Sequence, residues 1–574
     1  MTSSSCFNGI FSNCDVWIRI YKLLPIQDQL RLAMTNESLK TIYLKFINRI
    51  NYETLHIVAQ FGEYFVSNNT CRDRFKIPTR EFLLDFLQLY AKNVYELYTE
   101  APVPTEFFKN LIKLECRMEG HLLTVADVTR LVNNLPHLET LRILAFSCES
   151  YKPTSSISRK VVKELLRFKK LKHLQLDFED YDVKIKFKDF RQILTKLQLD
   201  SLQLQVQLIR RTNCDEESEA LESAVLLKEL ETEVIQYPGK FLSMLSKFKH
   251  LEVLTIRLAT VNEMTRGFRA LSELKHLTIY ETSFRKTRNR ITLPPNLIKL
   301  HLRQCYDLTL NALQKLLHEN SLPRLTEFVS VETYYDISWF KELQISSRIQ
   351  TLKIENFNIN VFHSPFVKNS TLRKLSLHWE EHQPIQLCPT GVGTLTFCHN
   401  LHTLEMHNLQ LSMDILLKFE NLEKLSLEVR LPDQWSYLTS ILRLKSLREL
   451  TVRQNGSCSG HPSPQSFVTN VTKLKIRCLH CMETDFWFQL LILNPRLELQ
   501  MRFDMHYSRM FKTSIDRDLY PRDQVKIQIC GFTVDYNKLR EDYFSTIASI
   551  PKHVDEYDDD DGELKCNLII STYK

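Results

Sequence analysis

Short apolar bursts recur along this chain, and they share one form: an apolar residue, two freer positions, a second apolar residue, one polar position, a third apolar residue. The form is met at Leu171, Leu174 and Leu176, at Leu251, Leu254 and Ile256, and at Leu274, Leu277 and Ile279. It returns at Leu372, Leu375 and Leu377 and at Leu422, Leu425 and Leu427. The end of each burst alternates apolar, polar, apolar, the period of a strand with one buried face. A burst repeated many times means one structural unit stacked on itself, which makes an extended surface rather than a pocket.

The leading apolar position can be followed through Leu138, Leu171, Leu199, Leu251, Leu274, Leu297, Leu325, Ile349, Leu372, Leu401, Leu422, Leu447 and Val471, with an earlier copy at Leu111. Most steps fall in the roughly 20–29-residue window of leucine-rich repeats. The longer step from Leu199 to Leu251 has room for two repeats or for one repeat with an insertion, and the charged helical stretch Asp215 to Glu233 lies inside it. One unit is especially complete. Leu300 and Leu302 belong to its strand, Cys305 stands where the chain must turn, and Leu313, Leu316 and Leu317 recur at helical spacing. It resembles the cysteine-containing class of leucine-rich repeats, with a strand and a true helix in each unit. The fold class expected is α/β: a leucine-rich-repeat solenoid with a parallel sheet on its concave face and helices outside.

Alternation then orders the surface. In Leu277, Thr278 and Ile279 the two apolar residues point into the core and the threonine points out. Parallel stacking lines such residues into columns. The central column reads Gln175, Thr255, Thr278, His301, Lys353, Ser376, Glu405, Ser426, Thr451 and Lys475; the next reads Asp177, Arg257, Tyr280, Arg303, Glu355, His378, His407, Glu428, Arg453 and Arg477. Solenoids commonly bind partners on this face. The candidate target-binding residues are Tyr280, His301, Arg303, Lys353, His378, Glu405, His407, Arg453, Lys475 and Arg477.

The first ~50 residues do not follow the repeat. They read as short helices: apolar residues at 16, 17, 20, 21, 23 and 24, a stop at Pro25, and a second helix with Leu30, Leu32, Ala33 and Met34 that Asp28 is placed to N-cap. So small a helical unit cannot hide all of these apolar residues within itself, so some should face a neighbour or a partner.

Val16, Ile20, Leu24 with Pro25, Asp28, Leu30, Leu32 and Leu39 stand where an F-box carries its helix anchors, and Asp28 to Ala33 followed by Asn36 resembles an insect-type version. The segment departs from that motif at its start, where Ser12 and Asn13 replace the usual Leu-Pro. With the repeats behind it, most of the chain resembles F-box/leucine-rich-repeat proteins. The resemblance implies a substrate receptor of an SCF-type cullin–RING ubiquitin ligase. Val16, Ile20, Leu24, Pro25, Asp28, Leu30 and Leu32 would dock on the adaptor subunit, and the repeats would hold a target protein. Such a chain does no chemistry of its own; it supplies proximity. The other reading is an interaction scaffold without ligase association, its first helices serving only as a cap.

The expected organisation is a helical module over 8–50, a link with an atypical first repeat over 51–110, the repeats over 111–495 and a C-terminal cap with an acidic loop over 496–574. In the link, Glu81 to Lys92 has helical spacing and Val94 to Tyr98 reads as a strand; near the end, Asn567 to Ile570 reads as a last strand after the acidic run Asp555 to Glu563.

Composition narrows the class. At 574 residues the chain exceeds one ordinary core, a limit that stacked repeats escape. Only 11 glycines argue against several phosphate-cradling loops. The net charge of +7, from 75 basic and 68 acidic residues, is mild for this length and does not by itself imply nucleic acid. The 14 cysteines follow no framework spacing, the start from Met1 to Ser5 is polar, and the most apolar stretch, Phe486 to Leu493, is too short to span a bilayer. These features favour cytosol or nucleus, with free thiols.

Chemical motifs are few. Cys458 and His461 followed by Cys478 and Cys481 have zinc-like types and spacing, but Cys478 directly follows a repeat strand and the first pair lies in a Gly/Ser/Pro loop. Arg285, Lys286, Arg288 and Arg290 form a basic cluster between repeats that reads as a solvated loop. No cofactor, metal, nucleic acid or membrane is expected, and the chain is read as not an enzyme.

Overall fold

The structure is a computed structural model. It describes residues 14–24, 26–43, 53–60, 63–67, 75–119, 123–146, 154–178, 182–209, 226–234, 241, 244–245, 247–258, 268, 270–284, 293–306, 308, 322–331, 348–355, 371–378, 385–386, 400–407, 409–410, 416–430, 435–455, 468–478, 490, 493–494, 496–504, 525–529, 532–534 and 565–572. The chain divides into two compact units, one of Met1–Tyr237 with Lys247–Ile256 and one of Pro238–Ser246 with Arg257–Lys574.

The first unit opens with three helices, α1 (Cys14–Leu23), α2 (Ile26–Thr35) and α3 (Glu37–Ile42). A three-strand antiparallel meander follows: β1 (Thr54–Gln60), β2 (Glu63–Ser67) and β3 (Phe75–Ile77). No leading leucine announces these strands in the sequence. Helix α4 (Arg80–Tyr90) is N-capped by Thr79, whose hydroxyl accepts from the Phe82 amide. Strand β4 (Glu96–Thr99) then pairs parallel to β1, so the stack already begins at Thr54.

Parallel pairing continues through β5 (Lys113–Glu119), helix α5 (Val125–Asn134) and β6 (Thr140–Phe146). Next come β7 (Thr154–Ser156), α6 (Arg159–Leu165), β8 (His173–Phe178), β9 (Asp182–Lys186), α7 (Phe187–Lys196), β10 (Ser201–Ile209) and β11 (Glu229–Val234). β6, β8, β10 and β11 pair parallel in that order. Helix α5 starts on a complete capping box between Thr124 and Asp127. Strand β12 (Val253–Leu258) follows near the division of the units.

The second unit is again a parallel row: β13 (His276–Tyr280), β14 (Lys299–Arg303), β15 (Glu327–Val331), β16 (Thr351–Glu355) and β17 (Lys374–His378). Strands β18 (Ile385–Gln386) and β20 (Leu409–Gln410) form a separate small pair, while β19 (Thr403–His407) and β21 (Lys424–Arg430) continue the row. Helix α8 (Trp435–Leu442) precedes β22 (Glu449–Asn455), and β23 (Lys473–Cys478) and β24 (Glu498–Asp504) follow. The last three strands, β25 (Val525–Ile529), β26 (Phe532–Val534) and β27 (Lys565–Thr572), run antiparallel; β27 lies against β24 and β25 at once.

These are leucine-rich repeats, and their core is the recurring burst. Every leading position named above, from Leu111 to Val471, is buried, as are the apolar strand positions behind it. In many repeats another buried apolar residue stands three residues ahead, in several of them aromatic: Phe168, Phe248 and Phe419 lead Leu171, Leu251 and Leu422. The amide of Leu422 donates back to the Phe419 carbonyl, and those of Leu138, Leu274 and Leu325 do the same to Leu135, Leu271 and Leu322, so these repeats turn into their strands through a tight loop. At the strand start two successive amides share one carbonyl of the previous repeat, as Arg448 and Glu449 do on Glu423. That joint satisfies donors that a buried turn would otherwise strand.

The long step from Leu199 to Leu251 contains a full repeat strand, β11, with Leu227 and Leu230 buried. Its third inward position is Thr232, fully buried, so the burst there lacks its last apolar letter. The helix expected over Leu313, Leu316 and Leu317 lies outside the described residues, as does the acidic run Asp555 to Glu563. A strand does stand where Asn567 to Ile570 was read. Among the described residues, no helix is long and apolar enough to cross a membrane.

Candidate functional site

Two surfaces have the features of a binding site: the helices at the start of the chain and the open face of the sheet in the second unit.

In the helical module, Tyr21 and Tyr43 are fully buried with ring centroids 5.4 Å apart. The Tyr21 hydroxyl donates to the Leu39 carbonyl at 3.1 Å, and burial, then Tyr43, pushes that hydroxyl above the usual tyrosine range. Asn36 caps α3 by accepting from the Ser38 amide at 2.7 Å. Gln29 donates to the Leu24 carbonyl at 2.8 Å and ties α2 to the end of α1. The Arg31 guanidinium lies 5.8 Å from the Phe82 ring centroid, so α2 rests on α4.

The seven residues aligned with an F-box fare differently. Val16 is exposed, Ile20, Leu24 and Leu32 are half-buried, and Pro25 lies outside the described residues. Leu30, in contrast, is only 1% exposed and packs the module from within. Asp28 does not cap α2, because that helix already begins at Ile26; it sits in the first turn, favoured by the helix dipole, 3.5 Å from Arg31. The residue that sequence reasoning left out of the set is Leu23, 85% exposed at the end of α1. Its helical spacing from Val16 and Ile20 was the available signal, since positions i, i+4 and i+7 share a face.

On the open face of the second unit, strand register lines up Thr278, His301, Val329, Lys353, Ser376, Glu405, Ser426, Thr451, Lys475 and Gln500. That is the central column read from the sequence from Thr278 onward, with Val329 and Gln500 added. Most of its charges are matched across strands. Glu327 accepts from His301 at 2.9 Å and from Lys299 at 3.2 Å. Burial tends to raise the Glu327 carboxyl, but these two bonds outweigh it and hold it below the usual carboxylate range. Burial, then Lys299, holds His276 below the usual histidine range.

Further along, Lys353 meets Glu355 at 2.7 Å, Lys374 meets Glu405 at 2.9 Å, and Glu449 holds Lys475 at 2.7 Å and Lys424 at 3.1 Å. Against the burial that would raise it, Lys475 and Lys424 keep the Glu449 carboxyl low. Glu327 and Glu449 were not in the sequence-derived set; they lie one strand-start position before the central column.

The ten candidate target contacts thus sit along a row of strands, not in one pocket. Register brings Tyr280 beside Arg303, His378 beside His407, and Arg453 beside Arg477. It also adds Arg502 next to Arg477, in a segment where the burst had faded. The first unit shows the same cross-strand matching, with Arg142 to Glu115 at 3.4 Å, Arg117 to Glu100 at 3.1 Å and Lys172 to Glu139 at 2.8 Å.

Among the described residues, no group of three or more histidine, cysteine or acidic side chains is placed to hold a metal. Cys458, His461 and Cys481 of the zinc-like constellation lie outside them, as does the basic cluster Arg285 to Arg290. Cys305 is fully buried, its thiol donating to the Ile279 carbonyl at 3.4 Å, and burial pushes that thiol up to about 12. It is a structural thiol, not a nucleophile.

No protein-family model matches this chain. No curated protein matches it either. Among solved structures it is similar to a leucine-rich-repeat protein of Leptospira interrogans, at 18% identity and TM-score 0.39, covering 72% of this chain and 98% of that one. It is similar to an internalin of Listeria monocytogenes at 15% identity and TM-score 0.31, covering 59% and 88%. The TLR13–ssRNA13 complex aligns at 13% identity and TM-score 0.37, covering 71% of each chain. The leucine-rich-repeat fold itself is carried by the strand register and the buried leucines.

Proposed function

We propose that this chain is the substrate receptor of an SCF-type ubiquitin ligase, acting by binding alone. The helical module docks on the ligase adaptor, and through it the cullin, while the open sheet face holds a target protein in the cytosol or nucleus. The observation that carries the reading is the apolar stripe of α1. Leu23 and Val16 are exposed and Ile20 is half-buried on a helix whose other side is packed by Tyr21. A module that only capped the repeats would have no use for so exposed a leucine. Leu30 serves this reading from inside, by holding α2 in place.

The alternative, an interaction scaffold without ligase association, is favoured by one observation: α2 rests on α4 through Arg31 and Phe82, as a simple cap would. A pull-down separates the two. The intact chain should retain purified adaptor subunit. Val16→Asp combined with Leu23→Asp should weaken that capture tenfold or more, since each buried leucine or valine contributes about 1.5–3 kcal/mol to such an interface. Thermal melting should be unchanged. No capture by the intact chain would sink the ligase reading and leave the scaffold.

A further inference from the structure

We infer that the outward side of helices α6 and α7 in the first unit binds the phosphate backbone of a nucleic-acid duplex, without selecting its sequence. The inference stands apart from the ligase reading, which uses the helical module and the open sheet face.

Each of these helices is buried along one side, by Val161, Val162 and Leu165 on α6 and by Phe190, Ile193 and Leu194 on α7. The exposed side is cationic. Lys160, Lys163 and Arg167 follow at i, i+3 and i+7, one stripe along α6 and the turn after it. Lys188 and Lys196 are exposed at the two ends of α7. Helix α6 touches both α5 and α7, so these side chains share one surface. From Arg159 to Lys172 the chain has a single acid, Glu164, and its carboxylate already accepts from Arg167 and from the Thr129 hydroxyl at 3.1 Å. The acid of α7, Asp189, is buried. Lys160, Lys163, Lys188 and Lys196 meet no carboxylate among the described residues.

The placement of these cations is also unfavourable to the helices themselves. A cation in the first turn faces the positive end of the helix dipole. Helix α6 nevertheless begins with Arg159 and Lys160 and has no acid in that turn, and α7 follows Lys186 and carries Lys188 there. The open sheet face of the same unit instead matches cation to carboxylate, as Arg117 does with Glu100 and Lys172 with Glu139. The chain's net charge of +7 is mild, but clustering rather than total charge makes an anion-binding footprint.

What the surface lacks selects the anion. A protein interface is built around an aromatic or apolar anchor and is poor in lysine. A lipid surface takes apolar residues from the same helix that offers the charge. A single strand is held by bases stacked on exposed aromatic rings. Among the described residues, α6 and α7 expose no large apolar or aromatic side chain. A duplex backbone needs none, because releasing its counterions is itself the driving force. Flexible lysines act on phosphates as point charges and read no base edge, so binding is blind to sequence.

The test is fluorescence anisotropy on the intact chain with labelled random-sequence duplexes of DNA and of RNA. Affinity should fall roughly a hundredfold as salt rises from about 50 to about 200 mM, the slope of about four phosphate contacts. Lys160→Gln, Lys163→Gln, Lys188→Gln and Lys196→Gln combined should weaken binding about tenfold or more and flatten that slope, while arginine at the same four positions should preserve both. Arg324→Gln, Arg373→Gln, Lys418→Gln and Lys445→Gln, an equal loss of exposed charge in the second unit, should change neither. Binding of either duplex in this pattern supports the inference, and the tighter of the two identifies the source of the backbone. No duplex binding at the lower salt overturns it, as does equal weakening by the second-unit variant. Tighter binding of a single-stranded oligonucleotide, of phosphatidylserine vesicles or of polyglutamate also overturns it and gives the surface to that ligand instead.

Discussion

Glu281 and Gln304 occupy the left-handed region, with φ of 46° and 48°, at the position just past the strand in two successive repeats. The backbone there must leave the strand and still pair: the Glu281 amide donates to the Arg303 carbonyl at 2.9 Å, and the Gln304 amide to the Val331 carbonyl at 2.9 Å. A side chain at such a φ costs about 1–2 kcal/mol that glycine escapes, while glycine itself costs about 0.5–1 kcal/mol of extra chain entropy. Gln304→Gly should therefore raise stability by up to about 1 kcal/mol, and β-branched Gln304→Val should lower it by a similar amount, read as urea midpoints. Nothing in the letters Glu and Gln signals this turn, because a glycine would have. The inward leucines were legible at the same scale, since an apolar residue at a fixed step has one place to go.

At the scale of the strand, the charge ladders carry a pH dependence with a definite sign. Glu327 and Glu449 are held below the ordinary carboxylate range in the folded chain. A group lowered on folding contributes its stability in full above its unfolded value, about 4.3 for glutamate, and loses it as pH falls through the folded value. Because both carboxylates are partly solvated, screening keeps the effect near the surface-pair range of about 0.2–1 kcal/mol each. Glu449→Gln should cost about that much at pH 7 and nothing at pH 2–3, so its urea midpoint and that of the unaltered chain should converge on acidification. Convergence at high pH instead would overturn the assignment. The strands that bear these ladders were readable from their alternation. The meander β1 to β3 was not, because it carries no leading leucine. β11 was half-hidden because Thr232 fills an inward site usually given to an aliphatic residue.

At the scale of the whole molecule, the end of the row is closed by chain that returns from far along the sequence. Strand β27 pairs Arg502 with Asn567 and Asp504 with Lys565, covering the edge that β24 would otherwise present. An uncovered edge strand is a template for pairing with another chain. Ending the protein before Lys565 should lower its stability by several kcal/mol, at about 1 kcal/mol per lost ladder bond. It should also produce concentration-dependent association in light scattering. An unchanged melting point and a monodisperse truncated chain would show that the edge needs no cover.

The sequence by itself determined the parallel rows, the buried leucines and most of the open-face columns. Alternation and a repeating step are local properties, and each copy restates them. Tertiary structure decided which anchors of the first helices turn inward, since Leu30 is enclosed and Leu23 is left exposed by neighbours such as α4 that follow long after them. It decided as well that Arg502 joins Arg453 and Arg477. Such a row exists only once separate strands are brought side by side, and no spacing along a single chain records that pairing.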